Sequence, residues 1–176
     1  MVPRLQRRGQ PLTAQRVILI GASAYQERAP AAAKDLYTGA LFRAARAYAE
    51  KEAERGGCLW AILSPKHALL LPTTLASPYV QRVSRSPASR RAWGVWTAEC
   101  LSMWLYGPLS PVPSVQTLRI EILANRDLAD PLEDALASDR TVEEVLVPLR
   151  QLPAQGRLRW LRERTARSSS DEADSR

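Results

Sequence analysis

The chain has 176 residues, 45% of them hydrophobic, with a net charge of +7 and a sequence pI near 10.0. That length suits one domain with a substantial core, and the positive sign argues for a polyanionic partner. One histidine and two cysteines without a C-x-x-C pair are too few for a structural zinc site, and no apolar run reaches the roughly 20 residues of a membrane span.

Residues 1–15, with Arg4, Arg7 and Arg8, read as a flexible basic arm. Arg16-Val17-Ile18-Leu19-Ile20 is a continuous β-branched run ending at Gly21, the mark of a strand buried on both faces. A loop follows to Ala33. Thr38 is placed to cap a helix that runs to about Arg55 and is ended by Gly56-Gly57. Cys58 to Leu63 is a second buried strand, so the unit is a right-handed βαβ with a parallel sheet. Pro72 and Pro78 punctuate the next loop, and Ser84 to Arg91 is polar and basic.

The spacing predicts a helix from Arg91 to Tyr106, with Trp93, Trp96, Thr97, Cys100, Leu101 and Trp104 on one face. Val115 to Leu123 largely alternates, which predicts a third strand with one face more exposed. Pro131 to Leu136 is a short helix. Thr141-Val142-Glu143-Glu144 fits a capping box opening another, Val142 to Val147, which Pro148 ends. Leu158 to Arg167 is a basic helix, and residues 168–176 read as a disordered polar tail. The single domain is therefore 16–167.

Chemistry is sought where open α/β sheets place ligands, at the carboxyl ends of strands. Gly21-Ala22-Ser23 and Ser64-Pro65-Lys66-His67 follow the two strongest strands. Topology then gathers Ser23, Lys34, Asp35, Tyr37, Thr38, Ser64, Lys66 and His67 in one crevice, with Tyr79 close in sequence to it. Each also has an ordinary reading: Thr38 as a cap, Asp35 as a loop residue or a partner of Lys34, His67 as a structural histidine, the tyrosines as core edges. Phosphate-binding glycine fingerprints and a nucleophile elbow are absent. The carboxylates scatter along helices, so neither a metal nor a cofactor is expected. The tryptophan stripe reads as core, or as a stacking surface for unpaired bases beside Arg82, Arg85, Arg90 and Arg91, which suit phosphate contacts.

Leu-Ile-Gly at 19–21, Ala-Lys-Asp-Leu-Tyr-Thr at 33–38 with Leu41-Phe42, Ile-Leu-Ser-Pro-Lys-His at 62–67 and Pro78-Tyr79 resemble an uncharacterised bacterial and phage domain family. Its pattern is a strand ending Gly-Cys-Ser-Lys, then Ala-x-Asp-Leu-Tyr-Thr-Ser-x-Leu-Phe, Leu-Ser-Ala-Lys-His-Gly-Leu and Pro-Tyr-Asp. That family looks like a branch of the uracil-DNA glycosylase superfamily, and the small, basic chain is similar to bacterial anti-phage glycosylases that excise glucosylated hydroxymethylcytosine. The match covers roughly 16–137. Four departures stand out: Ala22 and Ala24 replace the cysteine and lysine, Ala68 the glycine, Val80 the aspartate, and Asn125-Arg126-Asp127-Leu128 replaces a Gly-x-x-Tyr.

The resemblance implies a three-layer α/β/α fold with a small, mainly parallel sheet and a DNA glycosylase that flips out and excises a modified base from DNA, with phage DNA as the expected source. On that reading Asp35 and His67 are catalytic. Ser23, Lys34, Tyr37, Thr38, Ser64, Lys66 and Tyr79 bind substrate, and Arg82, Arg85, Arg90 and Arg91 hold DNA. A cytoplasmic monomer without membrane contact is expected. The alternatives are a nucleic-acid-binding module without turnover and a nucleotide- or tRNA-base-processing enzyme of the same fold.

Overall fold

The computed structural model describes residues 15–111 and 117–173. Its frame is a five-stranded sheet in the order β4-β3-β1-β6-β7. The central strand β1 (Gln15–Gly21) pairs in parallel with β3 (Cys58–Ser64) on one side and β6 (Leu118–Leu123) on the other. β7 (Val142–Leu146) continues in parallel beyond β6, and the short β4 (Ala68–Leu70) closes the other edge antiparallel to β3. The protein is thus α/β with a mainly parallel sheet. The continuous apolar runs of β1 and β3 follow from burial on both faces: Val17 to Ile20 have no exposed surface.

Five helices are present among the described residues. α2 (Ala40–Glu54) and α5 (Ala154–Ala173) cover one face, packing Phe42, Ala45, Ala49 and Leu161 with Ile18, Ile20 and Ile62. α3 (Pro87–Tyr106) and α4 (Arg126–Leu136) cover the other, where Trp93, Leu101, Leu128 and Leu132 meet Val17, Leu19 and Ile122. The three-layer arrangement follows. The chain goes from β1 to β3 on one side and returns to β6 on the other, so the order reverses between β1 and β6. Gly21 marks that reversal: a Cβ there would lie 2.9 Å from the Ala124 Cβ.

Several sequence expectations are corrected. Val142 to Leu146 is a strand, not a helix. Thr141 does not open a capping box, because its N–H and hydroxyl both donate to the Asp139 carboxylate, at 2.8 and 2.7 Å. Pairing with β6, with Arg119 reaching Glu143 at 2.8 Å, outweighs the local helix signal. Thr38 caps nothing; Gly39 is the N-cap residue of α2 and makes no side-chain cap bond. A short α1 (Ala33–Leu36) precedes it, between β2 (Ala31–Ala32) and the Gln26–Tyr37 bridge, with β2 paired to β5 (Leu75–Ala76).

α3 begins at Pro87 and α4 at Arg126, where the Asn125 side chain accepts from the Leu128 N–H at 3.3 Å. β6 exposes only Arg119 rather than a whole face. The sequence predicted disorder from residue 168, yet helical backbone continues to Ala173. The basic arm through residue 14, Val115 and residues 174–176 lie outside the described residues.

Candidate functional site

The exits of β3, β1 and β6 open into a crevice of about 490 Å³. β1 contributes Ala22, Ser23 and Ala24, and β3 contributes Pro65. The turn after β6 contributes Asn125 and Asp127, while Tyr79 to Arg85 and then Arg90 of α3 complete the wall. This is the reversal point of a doubly wound sheet, where such folds bind ligands. Five positions at which the sequence departs from the resembling pattern, Ala22, Ala24, Val80, Asn125 and Leu128, line it.

Tyr79 is the most firmly held wall residue. The Gln26 amide clamps its backbone from both sides: Gln26 Nε2 donates to the Tyr79 carbonyl at 3.0 Å, and the Tyr79 N–H donates to Gln26 Oε1 at 3.0 Å. Its phenol oxygen lies 2.8 Å from Ser64 Oγ and 3.1 Å from the Tyr37 hydroxyl. Burial, reinforced by Tyr79, raises the Tyr37 pKa, so that hydroxyl stays protonated. Ser64 Oγ also accepts the His67 N–H at 3.1 Å. The His67 ring meets the Tyr79 ring edge-on at 5.5 Å between centroids, and Lys66 Nζ sits 5.6 Å from the same ring. Burial, then the Lys66 charge, lowers the His67 pKa, and its Nε2 is buried with no hydrogen-bond partner among the described residues.

The structure therefore gathers Ser23, Ser64, Tyr37, Tyr79, Lys66 and His67 around one corner, but only Ser23 and Tyr79 of these line the crevice. Asp35 is not brought there. Its carboxylate is taken by Arg46 of α2 at 2.7 Å, and Arg46 also holds the Lys34 carbonyl and Glu50. No hydrogen bond, ion pair or ring contact links Asp35 to His67 among the described residues. Lys34 and Thr38 are likewise outside the lining; the Lys34 N–H donates to Pro72 and the Thr38 N–H to Tyr25.

Arg82, Arg85 and Arg90 line the crevice, whereas Arg91 lies in a neighbouring hollow between α3 and α4 that Arg85 and Arg90 share. Trp93 is core, donating its indole N–H to the Ser64 carbonyl at 3.2 Å, while Trp96 stands 44% exposed. Gln26 was not singled out by the sequence, and Asn125 and Asp127 only as part of a departure from the resembling pattern. The exit of the third strand would have found the last two, once β6 was placed beside β1.

Residues 17–163 match a family described as a family of unknown function, DUF6884. No curated protein and no solved structure matches the chain.

Proposed function

The chain belongs to the family of unknown function DUF6884, and for this member we propose a nucleic-acid-directed N-glycosidic bond hydrolase on a uracil-DNA glycosylase-like fold. The observation that carries the reading is the crevice at the sheet's reversal point, lined by Arg82, Arg85 and Arg90 together with a firmly held Tyr79. Guanidinium groups hold phosphates by paired hydrogen bonds. A rigid aromatic wall offers a face to a base removed from its stack, at an extrusion cost of a few kcal/mol. The acquired base would be a modified one, excised to leave an abasic site. Asp35 is paired with Arg46 and lies outside the crevice lining, and His67 acts by supporting Tyr79.

A second reading, binding without turnover, is favoured by Ala22, Ala24 and Val80, which make part of the lining apolar. One experiment separates the two. The full chain is incubated with a panel of modified DNAs, and released small molecules are identified by mass spectrometry while binding is followed in parallel. Release of a free base supports the hydrolase. Binding that weakens steeply with salt, with no base released from any substrate, supports the binding module. Absence of both overturns the nucleic-acid reading.

A further inference from the structure

We infer that Asp127 is the catalytic carboxylate of the crevice, the group that faces the sugar cation formed as the glycosidic bond breaks. The inference rests on the hydrolase reading above. Asp127 is the one carboxylate among the described residues that line the crevice. It stands in the first turn of α4, directly after β6, on the side of the crevice opposite Pro65 and Tyr79. Its oxygen lies 3.7 Å from Arg90 Nη1, and Arg90 is anchored in turn on the Arg126 carbonyl at 3.4 Å. The carboxylate is thus held near the lining yet 71% exposed, free to meet a substrate. Asp35 offers the contrast: it is bound to Arg46 and lies outside the lining. Glu121 is buried on the other side of the sheet with Arg16 and Tyr48.

The chemistry balances with water as the only co-reactant. The C1′–N bond breaks and its electron pair leaves with the base. A water oxygen bonds to C1′ and loses one proton, and the departing base gains one. A carboxylate beside C1′ stabilises the positive charge that develops on the sugar and accepts the water proton before passing it on.

The test uses two oligodeoxynucleotides, one with a cationic pyrrolidine in place of the target sugar and one with a neutral tetrahydrofuran. The wild-type chain should bind the cationic analogue about tenfold more tightly. Asp127→Asn should erase that preference while leaving affinity for the neutral analogue and the melting temperature unchanged. Asp35→Asn should keep it. Equal binding of both analogues by the wild type, or a preference that survives Asp127→Asn, overturns the assignment and leaves the crevice reading standing. Failure to bind either analogue overturns both.

Discussion

The phenol oxygen of Tyr79 lies 2.8 Å from the hydroxyl of Ser64, a side chain with no exposed surface at the end of β3. Ser64 thereby ties the wall of the crevice to the sheet, and its oxygen also serves the His67 N–H. Ser64→Ala leaves the His67 N–H without its acceptor and the Tyr79 hydroxyl without one of its two hydroxyl partners. The expected cost is about 1–3 kcal/mol, since buried polar groups without partners lose their full solvation. Tyr79→Phe removes the other half of the pair. In a double-mutant cycle by chemical denaturation, the two substitutions should couple by about 1 kcal/mol. Strict additivity would show that the short distance has no energetic weight.

The two central strands were legible because a parallel strand covered on both faces needs no polar positions, and β1 and β3 have almost none inside. β7 was not legible. Its Val142-Glu143-Glu144-Val145 spacing suits a helix as well as an edge strand, and only the neighbouring β6 decides between them. The site was half legible for a similar reason. The exits of β1 and β3 could be read as neighbours from strand–helix–strand order alone. That β6 joins on the far side of β1, bringing Asn125 and Asp127 to the crevice, depends on tertiary packing. Asp35 was misplaced because its partner, Arg46, sits one turn and a half into the next helix, and nothing local announces that pair.

Gly94 is one residue on which that packing depends. A Cβ there would run into the Pro131 carbonyl oxygen and fall 2.6 Å from its carbonyl carbon, so α3 and α4 touch backbone to backbone. Pro131 is buried inside α4 and cannot swing away as the end of a flexible side chain would. Gly94→Ala, favourable by about 1 kcal/mol in an isolated helix, should instead destabilise the protein by about 2–3 kcal/mol through overpacking. Thermal unfolding should show a fall of roughly 4–12 °C. A stabilised variant would mean that the helices separate without cost.

Ala68 adopts φ +59° and has no exposed surface. It follows the Pro65-Lys66-His67 turn and pairs with Ser64, at the position where the resembling pattern has glycine. The left-handed conformation costs an L-residue roughly 1–2 kcal/mol. Ala68→Gly relieves that strain but gives up a buried methyl, worth about 0.8 kcal/mol, and gains chain entropy in the unfolded state. The net change should lie within about 1 kcal/mol. Ala68→Val, which an ordinary strand position would welcome, should cost at least about 2 kcal/mol because a branched Cβ is strained at positive φ and crowds the core. Denaturant midpoints measured side by side decide it: Val equal to or above Gly would contradict the observed backbone.

His67 gives the fold a dependence on pH. Burial, and next the Lys66 charge, hold its imidazole below the ordinary value of 6.5, and among the described residues Nε2 has no hydrogen-bond partner. The unfolded chain therefore takes up the proton first as pH falls. Stability from this group is complete above about 6.5 and is lost as pH drops through the lower folded value. Melting temperatures measured from pH 7.5 to pH 5 should decline for the wild type before the carboxylates begin to titrate. His67→Gln cannot take up that proton, so its decline over the same window should be shallower, although the variant starts lower for loss of the Tyr79 ring contact. Parallel curves for the two proteins would show that the imidazole titrates alike in the folded and unfolded chain, and the corner around Tyr79 would then be open to water.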